Sequence, residues 1–104
     1  MLEIKIIKPG EAVMSGRFDA SQVDTVKNVL SQLGTTTILD IRGLEYISSA
    51  GLGILLAAQK KLSERGQRLK LANMNKHIRD VFKITRLETI FEIIETKTGE
   101  PGSP

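Results

Sequence analysis

The sequence predicts an α/β fold: a mixed, mostly parallel sheet of four to five strands packed with three to four helices, in the order ββαβαβα. Three observations predict it. Apolar residues alternate with charged ones at the start of the chain, stripes with helical spacing follow, and a short β-branched run stands between two of those stripes. Strands that alternate with helices need parallel pairing through crossovers, while an opening hairpin contributes an antiparallel pair. A length of 104 residues holds one domain and is too short for two. A hydrophobic share of 40% supports one modest core.

Leu2, Ile4 and Ile6 alternate with Glu3 and Lys5, the pattern of a half-buried strand. Pro9-Gly10 marks a tight turn, and Glu11 to Gly16 reads as the returning strand. Gly16 is expected to turn the chain just before Asp19, an N-cap type. Val23, Val26, Leu30 and Leu33 then form one helical stripe, with Gly34 as its stop. Thr36 to Ile41 is β-branched and apolar between two helices, which fits a central buried strand. Arg42 to Ile47 is expected to be a connecting loop.

A second helix begins near Ser48 or Ser49 and runs to about Arg65, with Leu52, Leu55, Leu56 and Leu62 inward and Gly66 as terminator. Arg68 to Ala72 reads as a short strand. A third helix covers about Asn75 to Arg86 and buries Ile78, Val81 and Phe82. Ile90 to Ile94 either closes the sheet or packs as an irregular segment. The domain therefore spans residues 1–95, and residues 96–104, with two glycines, two prolines and no large apolar side chain, are expected to be a mobile tail.

Composition removes several function classes. Without cysteine there is no disulfide framework, thiolate metal site or thiol nucleophile. His77 is the one histidine and lies among Lys76 and Arg79, as a solvated side chain would. No phosphate-binding Gly-x-x-x-x-Gly-Lys-Ser/Thr loop occurs, and Gly51-x-Gly53 lacks the third glycine of a dinucleotide fingerprint. The expectation is a protein without catalysis, metal or cofactor. No apolar run reaches the roughly 18 residues of a membrane span, and the N-terminus lacks a signal peptide's apolar block. A soluble, cytoplasmic protein is expected. The net charge of +3 comes from scattered lysines and arginines, and without Trp, with one Tyr and three Phe, there is no platform for stacking bases, so nucleic acid is not an expected partner. One basic stripe, Lys76, Arg79, Lys83 and Arg86, reads chiefly as the solvated face of the third helix, and otherwise as a surface for an acidic or phosphate-bearing partner.

What remains is the segment from Asp40 through Gly53. It leaves a buried strand, crosses a loop and enters a helix through two serines and three small residues. Ser48 can cap the helix by accepting a bond from a backbone N–H, which leaves Ser49 in the first turn, where backbone donors and the helix dipole favour an anion. Gly51 and Gly53 each cost about 1 kcal/mol of helix stability relative to alanine, so another backbone is expected to come close there. Two readings of these residues stand side by side: a capped helix packed on its own sheet, and a hydroxyl displayed for docking and modification.

Tyr46 to Gly53, the preceding Asp40-Ile41, and Gly16-x-x-Asp19 resemble STAS domains of the anti-sigma factor antagonist family, a resemblance that covers about residues 2–95. It implies that the unmodified protein binds an anti-sigma factor that is also a serine kinase of the GHKL ATPase fold, and so frees a sigma factor. Phosphorylation of the serine at the start of the second helix ends that association, and a metal-dependent serine phosphatase restores it. The matching acceptor here is Ser49, with Ser48 as the alternative, because many family members carry Asp where this chain has Ser48. Gly16, Asp19, Ser48, Ser49, Ala50, Gly51, Leu52 and Gly53 are the partner-binding residues that the resemblance implies. The same domain also serves as a partner-switch module for targets other than sigma factors and as a subunit of lipid transporters.

Overall fold

The computed structural model describes residues 1–96. Strands β1 (Leu2–Lys8) and β2 (Glu11–Phe18) form the hairpin, turned by Gly10 at a φ of 89°. A short 3₁₀ turn (Ala20–Gln22) leads into α1 (Val23–Leu30), followed by β3 (Thr37–Asp40), β4 (Leu44–Ile47) and α2 (Ser49–Ser63). The chain continues with β5 (Leu69–Ala72), α3 (Lys76–Ile84), a second 3₁₀ turn (Leu87–Thr89) and β6 (Glu92–Ile94).

The sheet has six strands, more than the four to five expected. Its path is β1-β2-β3-β5-β6, antiparallel between β1 and β2 and parallel elsewhere, with β4 also paired to β2. Segment Leu44–Ile47, expected as loop, is this extra strand. Leu44 and Ile47 are buried while Glu45 is exposed. The partner strand divides its length: Glu11 to Val13 pairs with β3, and Gly16 to Phe18 pairs with β4. The segment 90–94 resolves into β6, beside β5.

Two glycine assignments change. Gly16 does not turn the chain ahead of Asp19, because β2 runs on to Phe18. Gly16 sits where the β2–β4 register shifts, at a φ of 95°, and a Cβ there would stand 1.8 Å from the Met1 carbonyl oxygen. The left-handed backbone and the crossing chain both require glycine. Gly34 is not a left-handed stop either: α1 ends at Leu30, and Ser31 closes it through N–H donation to the Lys27 carbonyl at 2.9 Å. Gly66 does terminate α2. At a φ of 73°, its N–H donates to Ser63 O and that of Gln67 to Leu62 O, a Schellman ending.

The core between sheet and helices holds Met14, Phe18, Leu39, Ile41, Leu44, Leu55, Leu69, Leu71, Ile78 and Phe82, all without solvent exposure. Phe82 meets Phe91 edge to face at 5.6 Å. Leu56 and Val81, expected inward, are only partly buried. Thr96 belongs to the ordered structure: its N–H donates to Asn73 Oδ1 at 2.9 Å. The rest of the expected tail, residues 97–104, lies outside the described residues.

Candidate functional site

Parallel strands β2 and β4 end side by side, and each hands the chain to a helix. The Ser48 N–H donates to the Phe18 carbonyl at 2.9 Å, which fastens the entry of α2 to the end of β2. Ser48 has extended backbone, φ −82° and ψ 167°, and its Oγ accepts the Gly51 N–H at 3.0 Å. That is the N-cap arrangement, and it occupies the Ser48 side chain. The first helical bond runs from the Leu52 N–H to the Ser48 carbonyl at 2.9 Å. The N–H groups of Ser49 and Ala50 therefore precede the helical ladder and point out of its end.

Ser49 is the first residue of α2, is exposed, and makes no side-chain hydrogen bond among the described residues. No acidic side chain lies in the first turn of α2 to oppose an added anion. Ala50 and Gly53 are exposed beside it, while Gly51 and Leu52 are buried.

The two glycines serve different needs. A Cβ on Gly51 would stand 3.0 Å from Ile47 Cγ1 and 3.1 Å from Phe18 Cδ2. Its absence lets α2 settle on the ends of β2 and β4, so the close neighbours are side chains of the same core and not the backbone that the sequence suggested. At Gly53 a Cβ would meet nothing within 4 Å. No internal contact accounts for glycine there, and the space it leaves faces outward.

Asp19 caps the 3₁₀ turn that leads into α1, and not α1 itself as expected, because the chain enters α1 from that turn with Gln22 at the N-cap position and no side-chain cap bond. Its Oδ1 accepts both the Ser21 N–H, at 3.0 Å, and the Ser21 hydroxyl, at 2.6 Å. Gln22 Oε1 accepts the Asp19 N–H at 2.9 Å, which completes a capping box. The Ser21 hydroxyl, then its N–H, and more weakly the Arg17 charge hold the Asp19 carboxyl below its ordinary value. Asp19 thus stands beside Ser48 at one edge of the sheet, whereas Gly16 stays within β2 as a backbone device.

Sequence reading missed Arg17 and its contact with Tyr46. They are register partners on β2 and β4, with the guanidinium carbon 4.5 Å from the ring centroid. Alternation along the strand turns both away from buried Phe18 and Ile47. The only signal was Tyr46 itself, and it had meaning only once its segment was known to be a strand. The basic stripe is also broken. Arg79 pairs with Glu95 at 3.3 Å, and Arg86 lies beyond the end of α3 in a left-handed turn at a φ of 64°. Lys76, His77 and Lys83 are exposed.

A fold of this kind is shared with known proteins. The family model described as "Mlab, STAS domain" matches residues 10–95. The chain belongs to the STAS domain family. Its relatives by sequence include proteins named as anti-sigma factor antagonists: the anti-sigma-B factor antagonist of Listeria monocytogenes is 31% identical over 84 residues, 77% of this chain and 74% of the relative. BtrV of Bordetella bronchiseptica is 37% identical over 60 residues, so the match spans 58% of this chain and about half, 52%, of that relative. The structure also resembles SpoIIAA, an anti-sigma factor antagonist solved in its unphosphorylated form, with a TM-score of 0.75 at 20% identity over 96% of this chain and 91% of that one. At that identity the likeness speaks for the fold. No helix among the described residues is long and apolar enough to cross a membrane.

Proposed function

We propose that this chain works by partner switching, with Ser49 as the switch. Unmodified, it binds an anti-sigma factor that is itself a serine kinase of the GHKL type, and the bound sigma factor is released. Phosphorylation of Ser49 ends the association, and a metal-dependent serine phosphatase resets it. The chain performs no catalysis of its own and acts in the cytoplasm, where the kinase has ATP.

The observation that carries this reading is the division of labour between two adjacent serines. The Ser48 hydroxyl is committed to the Gly51 N–H, while the Ser49 hydroxyl is exposed and unbonded among the described residues. A phosphate on Ser49 brings about −1.5 to −2 charges at pH 7. The helix dipole and the Ser49 and Ala50 N–H groups can accept that charge without unfolding the domain. Against an apolar or acidic partner surface it costs several kcal/mol unless paired, and each 1.4 kcal/mol is a tenfold loss of affinity. A charge change on a fixed surface is then sufficient, with no rearrangement of the fold.

Incubation with the cognate kinase and ATP should add one phosphate, found on Ser49 by mass spectrometry. Ser49→Ala should resist phosphorylation and hold the partner constitutively. Ser49→Asp should weaken binding only in part, because one carboxylate carries less charge and fewer acceptor oxygens than a phosphate. A phosphate found on Ser48, or Ser49→Ala still modified and released, overturns the assignment.

A further inference from the structure

The groove between α1 and α2 lies outside the switch just described. It has a volume of about 120 Å³, a floor that includes Leu30, Leu33, Ile54 and Ala57, and Lys27 and Lys61 on its rims. Both lysines are exposed, and neither forms an ion pair among the described residues. Arg65, one turn beyond Lys61, is exposed as well, and a Cβ on Gly34 would stand 3.8 Å from its Nη1. A third cation therefore lies beside the Leu33 end of the groove.

Size and charge together select the occupant. The groove falls well below the roughly 300–1,000 Å³ of pockets that enclose small molecules or cofactors, and it suits one apolar side chain of a partner. An acyl chain would leave most of its length outside so short a depression. Positive rims on both sides of an apolar floor complement a helix with an apolar anchor flanked by carboxylates. Position points the same way. Ser49, Gly53, Ala57 and Lys61 follow one another at four-residue spacing and so form one ridge of α2. The ridge that begins at the switch ends on the groove's rim, about 18 Å away at 1.5 Å per residue.

We propose that this groove docks an acidic amphipathic helix of the anti-sigma partner, with an apolar side chain between α1 and α2 and carboxylates on Lys27 and Lys61. The proposal rests on the reading that the Ser49 face binds that partner, and adds a second contact. At about 18 Å along α2, at 1.5 Å per residue, the two contacts lie farther apart than the Debye length of about 8 Å at physiological salt. The phosphate therefore acts at its own end, and the groove's contribution is independent of it.

Calorimetric titration of the cognate anti-sigma factor tests this, using wild type, Lys27→Glu/Lys61→Glu, Ser49→Asp and the triple variant at several salt concentrations. Circular dichroism confirms folding, since all the altered side chains are exposed. The double lysine reversal should lose at least tenfold in affinity and flatten the salt dependence, and its loss should multiply with that of Ser49→Asp. Lysines placed at the partner's docked acidic positions should restore binding to the reversed variant. Wild-type affinity in the lysine variant, alongside weakened Ser49→Asp, overturns the groove and leaves the switch standing. No binding by wild type overturns the reading of the Ser49 face and this proposal with it. Amide shifts at Ile54 and Ala57 on adding sodium dodecanoate, without shifts from the anti-sigma factor, identify a lipid site and also overturn it.

Discussion

Two helices start at the same edge of the sheet, one after β2 and one after β4, and they start differently. At the entry to α1 the polar groups of the turn are turned on each other: Asp19 accepts from Ser21 twice, and Gln22 accepts from Asp19. At the entry to α2 one hydroxyl closes the cap and the next is left open. The first arrangement holds the chain. The second holds it and also presents a group. Two serines achieve what one residue cannot, because a capping hydroxyl is oriented back toward the helix and is a poor substrate for modification while it remains so.

The largest expected effect separates the inner and outer glycines of α2. Gly51→Val should cost about 3 kcal/mol, because its added carbons press on Ile47 and Phe18, which is fully buried. Thermal melting checks this, at about 4–8 °C of midpoint per kcal/mol for a domain of this size. A wild-type midpoint for Gly51→Val would mean that α2 is not seated as described.

Ser48→Ala comes next, with a loss of about 1 kcal/mol from the missing cap, while Ser49 should still be phosphorylated. If Ser48→Ala abolishes modification without unfolding, the contrast between the two hydroxyls is lost. At the other entry, Asp19→Ala should lower the midpoint by a few degrees at neutral pH. The Asp19 carboxyl has its pKa lowered in the fold, so its contribution is present above the ordinary carboxylate range and fades as pH falls through the folded-state value. The gap between wild type and Asp19→Ala should therefore shrink on acidification. A gap that widens in acid would contradict the capping geometry.

The smallest stability effects fall on the outward positions. Gly53→Ala should gain up to about 1 kcal/mol from helix propensity, since the new methyl meets nothing. Partner affinity should fall if a partner's backbone uses that space. Ser49→Ala should stay within about 0.5 kcal/mol of wild type. Chemical denaturation with a parallel binding titration resolves both. A Gly53→Ala protein that binds as well as wild type would restrict the interface to the helix tip.

Local signals were legible in the chain. The alternation of Leu2, Ile4 and Ile6, the Pro9-Gly10 turn, the Asp19 and Ser48 caps and the Gly66 ending each depend on residues a few places apart. Such features are decided by backbone sterics and nearby hydrogen bonds before any tertiary contact forms. The serine segment was legible for the same reason, since a cap and a first-turn hydroxyl are adjacent properties of one helix end.

Strand Leu44–Ile47 was not legible in this way. Four residues with two inward side chains carry little periodicity of their own, and the segment is a strand because β2 outlasts its pairing with β3 and offers free backbone groups from Gly16 to Phe18. The Arg17–Tyr46 stack follows from that pairing and could not be foreseen without it. The same holds for the two glycines of α2, identical in propensity, one pressed on Phe18 and the other open to solvent, and for the groove that brings Lys27 near Lys61 across two helices. By itself the sequence determined the Asp19 and Ser48 caps, the Gly66 ending of α2 and the main apolar stripe of each helix, because these are properties of neighbouring residues. Which strand β4 joins, which glycine is buried and which cations share a groove were decided only by the tertiary structure, because each depends on chain segments brought together from distant positions, and a pattern of local propensities holds no record of that distance.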